Sequence, residues 1–305
     1  MARVAAIDVG TNTVLASIVA REGNDRDARL VWDGARITRL GQGVGASRRL
    51  RDDAIARTIE AVSALAAEAR ARGAERVVGV GTSALRDAEN REAFVVAARS
   101  VLDGFEVISG EREAELTFRG AFVGLTRPEG AVTVVDIGGG STEIVRGEGG
   151  HVTARVSVDV GSVRLSERHG VRDEAPSPAR LAAIRADVAR AMEHVPVAPP
   201  LVMLAGTATN VAAVARGIDL AGGAPQPHGL RVDAAALGEA VARITAVGRA
   251  ERARLVGIEP GREDVIVAGA LIFEHVLARA AAPEVTISDG GVRLGLALAL
   301  LDAQG

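Results

Sequence analysis

The sequence contains no cysteine and no lysine. The lack of cysteine excludes disulfide bonds, thiolate catalysis and cysteine-ligated zinc sites. Because all 36 basic residues are arginine, a P-loop lysine and a Schiff-base lysine are excluded as well.

Aromatic side chains make up only 2% of the chain, as five Phe, one Trp and no Tyr. This scarcity argues against a protein that stacks nucleobases on aromatic rings. The formal net charge of −3 provides no basic field for DNA or RNA either. We therefore expect no nucleic-acid partner, and a core packed from Val, Leu, Ile and Ala.

No stretch of about 20 uncharged apolar residues occurs, so no membrane contact is expected. The apolar N-terminal stretch is interrupted by Asp8 and lacks the layout of a signal peptide. The sequence therefore predicts a cytoplasmic protein.

Strand and helix patterns alternate along the chain, which is typical of an α/β fold. Strands are predicted over residues 4–7, 14–20, 76–80, 105–108, 151–158, 201–204 and 285–287, with a strand–turn–strand unit over 132–145. Helices are predicted over residues 51–72, 90–102, 112–122, 179–194, 234–244 and 263–280. Ser177 followed by Pro178 is the expected start of one of these helices.

Two strand–turn–strand segments resemble each other. Asp8-x-Gly10 and Asp136-x-Gly138 each end an apolar strand, and their offset is 136 − 8 = 128 residues. A repeat at this distance indicates two related lobes. The Pro- and Gly-containing segment 125–130 is the best linker candidate, so we predict domains over 1–125 and 126–305.

Three small-polar turns follow apolar strands, at residues 8–13, 136–142 and 206–209. Glycine turns can direct successive backbone N–H groups into one concavity that binds phosphate oxygens. In open α/β sheets, ligands bind beyond the carboxyl ends of the strands, where these turns lie. The predicted phosphate-binding residues are Gly10, Thr11, Asn12, Thr13, Gly138, Gly139, Gly140, Ser141, Gly206 and Thr207.

Carboxylates accompany these turns. Asp8 and Asp136 could be turn residues that accept nearby N–H groups, or a matched pair that holds a hydrated Mg²⁺. Glu143 lies just beyond the second turn and could be an exposed strand residue or a functional carboxylate. A cluster at Glu111, Glu113 and Glu115 could equally be a solvated helix start, and spacing alone does not choose among its members.

Arg86 follows a predicted strand and a turn of small residues. Arginine binds phosphate through strong, bidentate hydrogen bonds. We therefore select Arg86 as the phosphate-binding arginine.

Taken together, these motifs resemble the exopolyphosphatase / guanosine pentaphosphate phosphohydrolase (Ppx/GppA) family, which belongs to the superfamily of actin, sugar kinases and heat-shock ATPases. The matching segments occur in family order and cover residues 4 to about 300; they are residues 6–13, 39–44, 82–88, 108–110, 136–143, 206–209, 268–270 and 288–291. The sequence stops soon after residues 288–291, so it resembles the short, two-domain members, which lack the C-terminal helical region of longer relatives.

The resemblance implies two actin-like (ribonuclease H-like) α/β domains with a polyphosphate-binding cleft between them, and a homodimer. It also implies two essential glutamates, which fall on Glu113 and Glu143. Arg112 departs from the family pattern, where two adjacent glutamates are usual; Glu111 could compensate. The cofactor implied is Mg²⁺ or Mn²⁺.

The expected reaction is therefore hydrolysis of the terminal phosphoanhydride of inorganic polyphosphate. Glu113 would activate the water, while Asp8, Asp136 and Glu143 would hold the metal. The alternatives are a guanosine pentaphosphate (pppGpp) 5′-phosphohydrolase, an ATP-dependent kinase of small molecules, and a non-catalytic sensor of alarmone nucleotides.

Overall fold

Residues 2–21 and 28–303 are described by the computed structural model. The chain divides into two units, the first comprising Met1–Thr126 and Gly290–Gly305, the second Arg127–Asp289. No helix in these described ranges is long and apolar enough to cross a lipid bilayer.

The first unit is built on a five-stranded sheet. Its strands are β1 Ala2–Val9, β2 Thr13–Arg21, β3 Arg29–Ile37, β4 Arg76–Gly81 and β5 Gly104–Val107. They lie in the order β3-β2-β1-β4-β5. The first three form an antiparallel meander, and β4 and β5 run parallel to β1.

Helices connect and cover these strands. They are α1 Val44–Ser47, α2 Asp52–Ala71, α3 Ser83–Asp87, α4 Arg91–Val101 and α5 Gly110–Gly120. Alternate residues of β1 face opposite sides of the sheet. Ala5 and Ile7 join the core beneath α2 and α4, while Val4 and Ala6 join a second core beneath α5. The sheet is thus buried on both faces, as its near-continuous apolar strands require.

The second unit is built on a six-stranded sheet. Its strands are β6 Ala131–Ile137, β7 Thr142–Glu148, β8 His151–Val158, β9 Leu201–Leu204, β10 Arg231–Asp233 and β11 Glu284–Ile287, in the order β10-β11-β9-β6-β7-β8. Its helices are α6 Ser162–His169, α7 Pro178–Ala191, α8 Ala205–Arg216, α9 Ala234–Thr245, α10 Arg249–Arg252 and α11 Ile266–Ala280.

The two sheets share one topology. Strands β6, β7 and β8 form an antiparallel meander as β1, β2 and β3 do, and β6 pairs in parallel with β9 as β1 pairs with β4. The expected pair of related α/β lobes is therefore confirmed. The predicted helix start is also present, because the Ser177 hydroxyl accepts the amide N–H of Arg180 at 3.3 Å.

The predicted turn at 206–209 was wrong. Strand β9 leads directly into α8, whose first residue is Ala205 with φ of +64°. The single left-handed residue changes the direction of the chain, so a glycine turn is not needed. Residues 206–209 form the start of the helix instead.

The last helix, α12 Val292–Asp302, lies in the first unit. The predicted division had assigned all residues after 125 to the second domain. Two interactions explain the difference: apolar residues of α12 pack with β1 and α5 in the second core of the first sheet, and Arg293 donates to both carboxylate oxygens of Asp33 on β3 at 2.9 and 3.0 Å. Arg293 is only 4% exposed, whereas the Asp33 side chain is 35% exposed.

Glycines allow α12 and α5 to cross with their backbones in contact. A β-carbon on Gly295 would overlap the carbonyl oxygen of Leu116, and one on Gly120 would overlap that of Gly291. Backbone atoms cannot move aside as a flexible side chain can, so the crossing tolerates no added carbon at these positions.

We predict that Gly295→Ala lowers the free energy of unfolding by about 1–3 kcal/mol, the usual cost of overpacking. Gly238→Ala in α9 is the matched control, because a β-carbon there meets no atom within 4 Å. Both changes bring the same gain in helix propensity, about 1 kcal/mol. Urea unfolding of both variants separates the cost of the clash from the gain in helix propensity. An equal change in the free energy of unfolding of the two variants would contradict the predicted clash.

Candidate active site

The hairpin turns of the two units have the same backbone hydrogen bond. Gly10 N–H donates to the Thr13 carbonyl at 3.1 Å, and Gly138 N–H donates to the Ser141 carbonyl at 3.0 Å. Each turn lies beside the carboxyl end of a parallel strand, β4 or β9. The repeat seen in the sequence is thus a repeat of turn geometry.

In the first turn, the carbonyl groups are bound by the segment that follows β3. Gly41 N–H donates to the Thr11 carbonyl, and the N–H groups of Thr38 and Arg39 both donate to the Asn12 carbonyl, all at 2.9 Å. In the part of the chain that the structure describes, the N–H groups of Thr11 and Asn12 have no acceptor.

The Asn12 side chain is also unsatisfied. It is 6% exposed, and neither its amide nitrogen nor its amide oxygen has a partner among residues 2–21 and 28–303. Buried polar groups are nearly always hydrogen-bonded. A ligand or water at this turn would supply the missing partners.

In the second turn, helix α6 binds the carbonyl groups. The N–H groups of residues 162–164 donate to the carbonyls of Gly138 and Gly139 at 2.8–3.0 Å, and Arg164 Nε donates to that of Gly140 at 2.6 Å. The N–H groups of Gly139, Gly140 and Ser141 find no acceptor within the described residues.

Both turns therefore have backbone N–H groups that could bind an anion, and their role as phosphate sites stays a prediction. When the carbonyl side of a turn is bound, its N–H groups are left to point away from that side, and successive N–H groups form a nest for anionic oxygens. A phosphate group is the natural ligand, because its oxygens accept several such hydrogen bonds at once.

Two carboxylates lie side by side next to the second turn. Asp136 and Glu143 are directly opposite each other across β6 and β7, so their side chains share one face of the sheet about 4.5–5.5 Å apart at Cβ. Glu143 is 1% exposed, which overturns its interpretation as an exposed strand residue. Ser157 on β8 donates to its Oε1 at 2.7 Å.

This pair fits the Mg²⁺ or Mn²⁺ that the resemblance implies. Mg²⁺ is usually held by one or two carboxylates together with waters and substrate phosphates. No group of three or more His, Asp or Glu side chains in residues 2–21 and 28–303 is placed to hold a metal by itself. Asp8, the equivalent of Asp136, faces Leu15 across its hairpin instead of a second acid.

Glu113 is buried in the first turn of α5 and bonded to Arg86. Its side chain is 9% exposed, that of Arg86 is 22% exposed, and Arg86 Nη1 contacts Glu113 Oε2. The same nitrogen donates to the Ile108 carbonyl at 3.2 Å. Burial raises the pKa of Glu113 above the usual range of a glutamate, and the Arg86 guanidinium opposes this rise.

Arg112 lies away from this pair. Its side chain is 47% exposed and bonds Glu115 at 3.3 Å, one turn along α5. Glu111 is exposed as well. The charge near Glu113 is therefore set by Arg86, and the departure from the family pattern at residue 112 falls on the surface of α5.

At the start of α8, the predicted residues are arranged differently from a glycine turn. The Thr207 hydroxyl is turned inward and donates to the Ile137 carbonyl at 3.3 Å. A β-carbon on Gly206 would overlap the guanidinium of Arg262, whose Nε is held by Glu259 at 2.6 Å. Gly206 thus allows an arginine to approach the helix N-terminus.

Sequence reasoning missed Arg262, Arg164 and Ser157. Their hydrogen-bond partners are 3, 24 and 14 residues away in the chain. No local pattern marks such residues, although the 24- and 14-residue contacts follow once the sheet register is known.

The profile of the Ppx/GppA phosphatase family matches residues 18–304. The chain belongs to this family. It is 40% identical to exopolyphosphatase 2 of Mycobacterium tuberculosis over an alignment of 320 positions, which covers 98% of this chain and 99% of that protein.

Two further relatives bear on fold and substrate. The crystal structure of the Aquifex aeolicus Ppx/GppA member is 29% identical, covers 100% of this chain and 99% of its own, and superposes with a TM-score of 0.81. A guanosine-5′-triphosphate,3′-diphosphate pyrophosphatase of Photobacterium profundum is 34% identical over 166 residues, 54% of this chain and 33% of that protein. This Ppx/GppA protein is accordingly a hydrolase of phosphoanhydrides with the two-domain, actin-like fold.

We predict that Gly161→Ala weakens phosphate binding at the second turn. Its β-carbon would lie 2.5 Å from the Gly139 carbonyl, so the turn must shift and its N–H groups lose their common direction. The affinity for tripolyphosphate, measured calorimetrically, should fall at least about tenfold, or roughly 1.4 kcal/mol. Gly104→Ala, whose β-carbon meets only Val78 at 3.7 Å, is the control; unchanged affinity in the Gly161 variant would refute the assignment.

Proposed function

We propose that this Ppx/GppA protein hydrolyses the terminal phosphoanhydride bond of inorganic polyphosphate and releases orthophosphate. The observation that carries the proposal is a pair of turns whose carbonyl groups are bound by neighbouring segments, while the N–H groups of residues 11–12 and 139–141 have no acceptor in the described part of the chain. A chain of phosphates offers many equivalent oxygens to such donors. Full-length similarity to a protein named exopolyphosphatase supports the same substrate.

In the proposed mechanism Glu113 is the general base. Its ionised carboxylate accepts a proton from water, and the resulting hydroxide attacks the terminal phosphorus atom. Arg86 fixes the carboxylate and favours its ionised form. The bond from phosphorus to the bridging oxygen then breaks, and the shortened chain leaves with that oxygen.

Charge on the phosphoryl oxygens is met by backbone and cationic groups. The N–H groups of residues 11–12 and of residues 139–141 would bind phosphate oxygens, and phosphoryl transfer depends mainly on such positioning and electrostatics. Gly206 and Thr207 can contribute N–H groups, because the first amides of a helix have no intrahelical acceptor. Arg262 at the same helix start would add positive charge.

Asp136 and Glu143 would hold Mg²⁺. When bound, the metal would neutralise phosphate charge and orient the scissile group. The role of the protein here is to present two adjacent carboxylates in a fixed cross-strand register.

The second candidate function is removal of the 5′-terminal phosphate from pppGpp. It is favoured by the partial similarity to the Photobacterium profundum enzyme, and the same base and turns would serve it. Phosphate release from short polyphosphate, long polyphosphate and pppGpp, each with and without Mg²⁺, tests both. A higher kcat/KM on pppGpp would reverse the order of the two proposals, and release from neither substrate would reject both in favour of a kinase or a sensor.

Replacing Glu113 with Gln should lower kcat on polyphosphate at least about 100-fold, the usual contribution of a general base. Glu115→Gln is the matched control, because Glu115 lies on the same helix, is 39% exposed and pairs with Arg112 on the surface. Phosphate release under saturating substrate provides the measurement. Near-normal turnover by the Glu113 variant would remove it from the mechanism.

The pH dependence should carry the signature of Glu113. Activity requires its ionised form, and burial raises its pKa, so the acid limb of kcat/KM should lie above the ordinary glutamate range. Arg86→Gln removes the cation that lowers this pKa and should move the limb to still higher pH. Arg112→Gln is the surface control; an acid limb that does not move in the Arg86 variant would contradict the assignment.

A further inference from the structure

Three polar residues form a row across the edge of the second sheet. Asp136 on β6 is opposite Glu143 on β7, and Glu143 is in turn opposite Ser157 on β8. Directly opposite residues in antiparallel strands have side chains on the same face. The row therefore ends with a hydroxyl on the outermost strand of this end of the sheet.

Ser157 makes a direct hydrogen bond in this row. Its hydroxyl donates to Glu143 Oε1 at 2.7 Å. Glu143 is 1% exposed, whereas Ser157 lies on the exposed face of β8. A glutamate has three rotatable side-chain bonds, so a donor on one oxygen fixes the direction of the carboxylate.

The position of Ser157 is itself fixed. The neighbouring residues Val156 and Val158 face the other side of β8 and pack against the core of the second unit. A register slip of one residue would place a valine beside Glu143 and expel an apolar side chain from the core. The core thereby determines which side chain of β8 meets the carboxylate.

We infer that Ser157 is a positioning residue, which holds the Glu143 carboxylate in the orientation that binds a divalent cation beside Asp136. This inference rests on the proposed function of that site. Groups that orient a metal-binding carboxylate commonly affect metal affinity 10–100-fold when removed.

The test measures Mn²⁺ affinity by calorimetry and, separately, the kinetics of phosphate release. Ser157→Ala should weaken Mn²⁺ binding about tenfold and lower kcat more than it changes KM. Ser157→Thr keeps the hydroxyl on a residue suited to a strand and should restore both. Thr153→Ala is the matched control on β8, because its hydroxyl donates to the Arg146 carbonyl at 3.1 Å and not to Glu143; it should leave Mn²⁺ affinity unchanged.

A double-mutant cycle distinguishes positioning from an independent effect. If Ser157 acts through Glu143, the double variant with Ser157→Ala and Glu143→Gln should bind Mn²⁺ no more weakly than Glu143→Gln alone. Additive losses would overturn the inference, as would normal affinity in Ser157→Ala or the absence of Mn²⁺ binding by the wild type. Failure of the wild type to release phosphate would reject the proposed function while the Mn²⁺ comparison still decides the role of Ser157.

Discussion

The availability of backbone N–H groups at each hairpin turn depends on the hydrogen bonds that bind the carbonyl groups of that turn. Helix α6 and Arg164 bind those of the second turn, and the segment after β3 binds those of the first. With the carbonyl sides bound, the N–H groups of residues 11–12 and 139–141 have no acceptor among the described residues. Because these donors belong to the backbone, the proposed binding of phosphate needs no lysine. Arg164 and Arg262 lie at the second turn and at the start of α8, and Arg86 is bonded to Glu113.

The proposed base depends on a different contact. Glu113 lies in the first turn of α5, and the other end of this helix crosses α12 at Gly120. Helix α12 is in turn held by the ion pair of the buried Arg293 with Asp33. Helix α12 therefore supports α5, the helix that carries the Glu113 carboxylate. This contact gives a physical reason for the place of α12 in the first unit.

The fold was largely predictable because its signals are local. Apolar runs, the turns at Asp8 and Asp136 and the helix start at Ser177 each depend on neighbouring residues, and the structure contains them all. Two features could not be predicted from neighbouring residues. The place of α12 in the first unit depends on contacts with distant parts of the chain. The left-handed conformation of Ala205 replaces the expected turn at 206–209 with the start of a helix. The bonds of Arg86 to Glu113 and of Ser157 to Glu143 could not be foreseen, since they require the register and helix positions of the folded chain.

Amide NMR during titration with tripolyphosphate tests the central claim most directly, because a hydrogen bond to an anion shifts the amide proton of its donor. The account predicts large, saturable shifts for the N–H groups of Thr11, Asn12, Gly139, Gly140 and Ser141, which have no acceptor among the described residues. Gly138 N–H, already bonded to the Ser141 carbonyl, should move less. Unchanged signals from both turns at saturating tripolyphosphate would contradict the account.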